Sequence, residues 1–320
     1  MKPLTCAARP QRAPLASPSR TITAAVLAGA LLSSVAAAPA PGHTNRAMRT
    51  AALSTGRDHG QADSRVAASA REPASSPAAP GPSAHRAQAL RAAVREVLPH
   101  DPRASTQGLE MRGGILYEST GLVGRSSVRA GPPGKPPSAY AELPAPLFGE
   151  GITLTGSRLW QLTWRDGIAI ERHPTTLVER RRVTYRGEGW GLCHQRVAGR
   201  ERLVMSDGTG RLTFRDPNTF TATGGINVHQ DGQPVTRLNE LECAPDGFVY
   251  ANVYATDTIL RIDPHTGAVT ANIDAAGLLT ASERRKAKQL NGIAAVPGTD
   301  RFLITGKLWP HMFQVTFISR

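Results

Sequence analysis

Cysteine is almost missing from this sequence: Cys6, Cys193 and Cys243 are all it has in 320 residues. No Cys-x-x-Cys pair and no His-x-x-x-His spacing occurs, so a structural zinc site has no ligand set to stand on. Aromatic residues are scarce at 5%, and residues 1–88 contain none, so that stretch has no large side chains around which to build a core. Long apolar runs are equally rare. The one at residues 22–38 is short for a membrane span of ~20 residues, and no second stretch is long enough to cross a bilayer. Acidic residues are in deficit, 25 Asp+Glu against 38 Lys+Arg, for a formal charge of +13 and a pI near 10.6. Such a balance raises nucleic-acid binding as a question. However, residues 1–88 hold ten Lys/Arg and three Asp/Glu, so more than half of the excess lies outside the part that reads as folded. The rest is mostly Arg scattered singly, and no nucleic-acid partner is expected.

Residues 1–40 read as an export signal. Lys2, Arg9, Arg12 and Arg20 precede the apolar run, which ends in Ala36-Ala37-Ala38 and Ala38-Pro39-Ala40, a small-x-small cleavage pattern. The alternative is an uncleaved anchor. Cys6 precedes the apolar core, which argues against a lipid-modified cysteine. Residues 41–83 are a Pro/Ala/Ser-rich linker with too little apolar surface to fold. Residues 84–101 change character: Leu90, Ala93, Val94 and Val97 recur at helical spacing, which predicts a helical lead-in. The expected product is an exported protein, secreted or held in the cell envelope, and a monomer.

Beyond residue 102 one phrase returns five times. It reads Gln107-Gly108-Leu109, Glu150-Gly151-Ile152, Trp190-Gly191-Leu192, Asn239-Glu240-Leu241 and Asn291-Gly292-Ile293. A spacing of roughly 40–50 residues marks a repeat architecture. Each phrase is followed by short β-rich segments, such as 158–162 then 168–171 and 203–206 then 211–214, joined by turn chemistry such as Asp166-Gly167 and Asp207-Gly208. Units of about four short strands with this period describe an all-β fold, a five-bladed β-propeller over residues 102–320. Residues 276–290 look helical and read as an insertion before the fifth unit. Cys193 and Cys243 follow the markers of adjacent units. They are candidates for a disulfide in an oxidising compartment, with two buried free thiols as the alternative because their offsets differ by one residue.

Inner strands of a propeller converge on one axis, so equivalent positions meet at one face. That face gathers Gln107, Glu150, Trp190, Asn239 and Asn291, with Trp164, Tyr254 and Lys307 just after second strands. Glu240, one step further along, should point the other way. One carboxylate, three carboxamides, an ammonium and aromatic walls suit a small ligand with a compact polar head. They make a poor metal cage, and neither a metal nor a cofactor is expected.

The ordered series Thr106-Gln107-Gly108-Leu109-Glu110, Phe148-Gly149-Glu150-Gly151-Ile152-Thr153, Glu188-Gly189-Trp190-Gly191-Leu192, Leu238-Asn239-Glu240-Leu241-Glu242, Ala251-Asn252-Val253-Tyr254, Leu290-Asn291-Gly292-Ile293-Ala294 and Thr305-Gly306-Lys307-Leu308-Trp309-Pro310 resembles the plant-type and bacterial glutaminyl-peptide cyclotransferases. The resemblance runs from about Ser105 to Phe317. It implies a five-bladed propeller that cyclises the N-terminal glutamine of peptides or proteins to pyroglutamate and releases ammonia without a catalytic metal. It also implies that Glu150 is the general acid–base. Gln107, Asn239 and Lys307 would surround the substrate head, with Phe148, Trp164 and Trp190 as aromatic walls. Tyr254 stands where the family usually has Trp, and Ser105 where it usually has an aromatic residue, so substrate affinity is the property most exposed to these departures. Two other functions fit the same face: a non-catalytic exported propeller that binds peptides, and a metal-dependent lactonase-type propeller with several carboxylate ligands on its axis.

Overall fold

Backbone is described for residues 86–197 and 199–320 in the computed structural model of this chain. The expected signal segment (1–40) and linker (41–83) lie outside the described residues. The first element is β1 (Gln88–Pro99). This corrects the helix expected over 84–101: the segment is a strand, paired in parallel with residues 269–274 and antiparallel with residues 311–319. The pairing register with residues 311–319 shifts between Val94 and Glu96. A bulge adds a residue, so an alternating strand no longer keeps period two. Leu90 is buried and Ala92 and Leu98 are partly so, whereas Val94 and Val97 of the supposed helical stripe are 43% and 51% exposed. The folded unit therefore includes this strand and starts before residue 102.

Three four-stranded antiparallel sheets follow. The first is β2 (Thr106–Arg112), β3 (Ile115–Thr120), β4 (Ser127–Gly131) and β5 (Ala139–Glu142). The second is β6 (Gly149–Thr155), β7 (Arg158–Thr163), β8 (Ile168–Arg172) and β9 (Glu179–Thr184). The third is β10 (Leu192–Val197), β11 (Arg200–Met205), β12 (Arg211–Arg215) and β13 (Ala222–Asn227). A small hairpin, β14 (His229–Gln230) with β15 (Gln233–Pro234), comes next. The remaining strands are β16 (Leu238–Cys243), β17 (Val249–Val253), β18 (Thr258–Ile262), β19 (Val269–Asp274), β20 (Leu290–Ala295), β21 (Phe302–Gly306) and β22 (His311–Ser319). With β1 between β19 and β22 they form one eight-stranded sheet, whose end strands β16 and β20 return against each other so that it is nearly closed. In place of the helical insertion expected over 276–290 there is a single turn, α1 (Ala281–Arg284), started by a Thr280–Glu283 capping box.

The first strands of the five units touch in a cycle: β2 meets β6, β6 meets β10, β10 meets β16, β16 meets β20 and β20 meets β2. Between each neighbouring pair lies a separate apolar core. Val128 and Ile152 belong to the first interface, Trp160 and Leu203 to the second, Val204 and Val249 to the third. Ile273 and Ile304 belong to the fourth, Leu109 and Leu303 to the fifth. Each fully buried side chain of this size contributes roughly 1.5–3 kcal/mol, so the ring is held by its interfaces rather than by any central core. Cys193 and Cys243 form a disulfide with Cα atoms 5.3 Å apart, tying β10 to β16 across the third interface.

The repeated phrase has a physical reason at this level. In β2, β6, β16 and β20 the ladder with the next strand slips where the phrase lies. Such an irregularity re-aims a side chain and is common beside active sites. The glycine in the phrase lets inner strands approach: Gly151 N donates to Trp190 O at 2.7 Å, and a Cβ at Gly151 would lie 2.6 Å from Leu192 N. A Cβ at Gly191 would overlap Asn239 O. The fourth copy has Glu240 at this place instead. Its side chain is fully buried and accepts Leu109 N–H at 3.1 Å and Ile293 N–H at 2.8 Å. Those are the aliphatic residues of the first and fifth phrases.

Candidate active site

Residues that precede or begin the inner strands converge at one end of the ring. Glu150, at the start of β6, is 5% exposed, and among the described residues its carboxylate accepts no hydrogen bond. Burial pushes its pKa well above the ordinary carboxylate range; the Lys307 ammonium pulls it down and the Glu188 carboxylate pushes it up. Lys307, just past β21, is displaced the other way. Burial lowers its pKa, and Glu150 opposes that shift. A mostly enclosed carboxylate thus sits within the field of a mostly enclosed ammonium.

Four carboxamides lie on inner and second strands: Gln107 on β2, Asn239 on β16, Asn252 on β17 and Asn291 on β20. Gln107 Oε1 accepts from Asn291 Nδ2 at 3.2 Å, and the same Asn291 group donates to Thr106 O at 3.0 Å. Ser206 Oγ donates to Asn239 O at 2.5 Å and accepts Gly191 N–H at 2.7 Å, which fixes the backbone of the third and fourth phrases together. Among the described residues Asn239 Nδ2, Asn252 Nδ2 and Asn291 Oδ1 are buried and have no hydrogen-bond partner. Buried polar atoms of this kind are costly unless another group satisfies them. Asn252 was legible only as part of the Ala251-Asn252-Val253-Tyr254 motif. It accepts Gly292 N–H at 2.9 Å and so couples β17 to the fifth phrase.

Aromatic residues form two joined pairs. Phe148 and Trp164 are 5.5 Å apart between centroids, and Gly121 leaves room for the Phe148 ring beside the Gln107 amide. Trp190 and Tyr254 meet edge to face at 5.3 Å, and Lys307 Nζ lies 5.9 Å from the Tyr254 centroid. Tyr254 is 38% exposed and forms the outer rim. Ser105 is buried; its carbonyl accepts Gly121 N–H at 2.8 Å, so it shapes the backbone behind Phe148 rather than forming an aromatic wall. Tyr185 is a group that no repeat or spacing indicates. Its hydroxyl donates to Thr163 O, and burial followed by the nearby Glu150 charge raises its pKa.

Among the described residues no three His, Cys, Asp or Glu side chains are grouped to hold a metal ion. No helix among them is long and apolar enough to cross a membrane. The arrangement is therefore one buried carboxylate, one mostly enclosed ammonium, amides with atoms unsatisfied among the described residues, and a slot of aromatic faces.

The glutamine cyclotransferase family model matches residues 66–317. A glutaminyl-peptide cyclotransferase of Arabidopsis thaliana is 38% identical over 224 residues, which cover 68% of this chain and 68% of that protein. The crystal structure of Myxococcus xanthus glutaminyl cyclase matches with a TM-score of 0.65 and 38% identity, covering 73% of this chain and all of that one.

Proposed function

The chain belongs to the glutamine cyclotransferase family of enzymes, and from that premise we propose that it converts N-terminal glutamine of peptides and proteins to pyroglutamate by acid–base catalysis at a single carboxylate. The five sheets are read as the five blades of a propeller, supported by the cyclic contacts of their first strands. The observation that carries the chemistry is Glu150: buried, without a hydrogen-bond partner among the described residues, and displaced upward in pKa beside Lys307.

Ring closure forms a bond between the α-nitrogen and the carbon of the side-chain amide, and breaks that carbon's bond to the amide nitrogen, which leaves as ammonia. The attacking amine must lose a proton and the leaving nitrogen must gain one. A carboxylate within reach of both can take the first and deliver the second, and a raised pKa brings its two states closer in energy near neutrality. Lys307 and the unsatisfied Asn239 Nδ2 are donors suited to negative charge on the carbonyl oxygen. Asn252 Nδ2 and Asn291 Oδ1 offer a second donor and an acceptor for the polar head. Phe148, Trp164, Trp190 and Tyr254 exclude water and hold the side chain folded back on its own amine, so proximity supplies part of the rate. No step needs a metal or a cofactor.

Export is part of the proposal. The Cys193–Cys243 disulfide suits an oxidising compartment, and residues 1–40 have the pattern of a secretory signal. Ammonia release from a glutamine-initiated peptide, measured with and without chelator, is the test. Turnover that persists in chelator supports the metal-free reading. Loss that added metal restores would favour a metal-dependent propeller, and tight peptide binding without ammonia would favour a binding protein.

A further inference from the structure

Three hydrogen bonds converge on one side chain at the edge of the aromatic slot. Glu188 Oε2 accepts the indole N–H of Trp164 at 2.8 Å and that of Trp190 at 3.0 Å. Its other oxygen accepts Arg165 Nε–H at 2.9 Å. The Arg165 guanidinium also stacks on the outer face of Trp164, 3.9 Å from its centroid. The backbone is fixed around the same point: Trp164 N donates to Phe148 O at 3.0 Å, and Gly189 N donates to Trp164 O at 2.9 Å. Trp164 follows β7 in the second sheet and Trp190 precedes β10 in the third, so the rings come from separate sheets and one carboxylate joins them.

We propose that Glu188 is a positioning residue for the cyclisation reaction, which sets the spacing of the Trp164 and Trp190 walls and thereby the fit of the glutamine side chain. The inference rests on the cyclotransferase reading of the site. An indole N–H needs an acceptor when enclosed, and two indoles sharing one oxygen cannot move independently. Leaving both donors unpaired would free each ring to turn about its side-chain torsions, and the slot would lose its width. Burial favours the uncharged form of Glu188, but hydrogen bonds from Trp190, Arg165 and Trp164 outweigh it and hold the group ionised below the usual carboxylate range. Glu188 thus keeps a fixed negative charge near Glu150, which also faces Lys307 and Tyr185.

The two roles separate by substitution. Glu188→Gln keeps a carbonyl oxygen for the indoles and removes the charge; Glu188→Ala removes both. In Glu188→Ala, KM for a glutamine-initiated peptide should rise roughly tenfold, the size expected for losing hydrogen bonds to a charged acceptor, with a smaller fall in kcat as the walls hold the substrate less well. Its near-UV circular dichroism should change while the far-UV spectrum does not. Glu188→Gln should restore KM to within about twofold of the parent and move the acid limb of kcat/KM to lower pH, because one charge that raises the Glu150 pKa has gone. An unchanged KM and near-UV spectrum in Glu188→Ala overturn the proposal, as does a Gln variant as impaired as the Ala variant. If the parent protein releases no ammonia, the cyclase reading fails, while the near-UV comparison still decides whether Glu188 holds the two indoles.

Discussion

Glu240 Oε2 accepts the backbone N–H of Ile293 at 2.8 Å, on the neighbouring inner strand. Its other oxygen holds Leu109 N–H at 3.1 Å, so one side chain of the fourth phrase binds the first and the fifth. Glu240→Ala leaves two buried amides without acceptors and opens a void. The expected cost is about 3 kcal/mol, read as a lower midpoint in urea with an unchanged slope. Glu240→Gln, with one acceptor oxygen, should fall between.

Glu150→Gln should reduce ammonia release at least about 10³-fold, since it removes the only proton carrier proposed for both nitrogens. Its far-UV circular dichroism should match that of the parent, so that the loss is read as lost chemistry and not as unfolding. Turnover within tenfold of the parent in that variant would falsify the single-carboxylate mechanism.

Lys307→Met should act on the same limb as Glu188→Gln, with opposite sign. The ammonium pulls the Glu150 pKa down, so its loss moves the acid limb of kcat/KM upward. The check is a pair of pH–rate profiles on the two variants, which should move apart from the parent in opposite directions.

Acid stability should depend on Glu118. Burial raises its pKa, but His100 at 3.0 Å, Arg129 at 2.7 Å and a hydroxyl bond from Thr106 outweigh that and bring it to about 2. A depressed carboxylate contributes stability that is present above its unfolded value of 4.5 and lost as pH falls through about 2. That contribution is about 3 kcal/mol by linkage. Glu118→Gln should therefore flatten the loss of urea midpoint between those pH values.

The phrase Gln/Glu/Trp/Asn/Asn followed by Gly or Glu and an aliphatic residue was enough to locate the inner strands, because each copy must meet the same packing demand at the axis. With the positions just after second strands, it made Glu150, Asn239, Trp190, Trp164, Tyr254 and Lys307 candidates for one face. What it concealed depends on contacts between units. β1 looked helical because Leu90, Ala93, Val94 and Val97 fall at helical spacing, whereas its form is set by pairing with residues far along the chain. Glu188 looked like part of a motif, although two tryptophans with enclosed N–H groups already called for an acceptor nearby. Asn252 showed only as a member of a motif and Tyr185 carried no signal, since their partners lie in other strands or across a turn.

The placement of β1 has a consequence for how the chain comes together. Residues 88–99 are made early, yet both their neighbours in the sheet, residues 269–274 and 311–319, are made about 170 or more positions later. The first described strand therefore waits about half the length of the chain for its first partner, and the eight-stranded sheet stays incomplete until β22 exists. The eight-stranded sheet is joined by a clasp whose two halves, β1 and β22, are more than 200 residues apart in sequence. Any chaperone or export step that delays folding needs only to keep those halves apart.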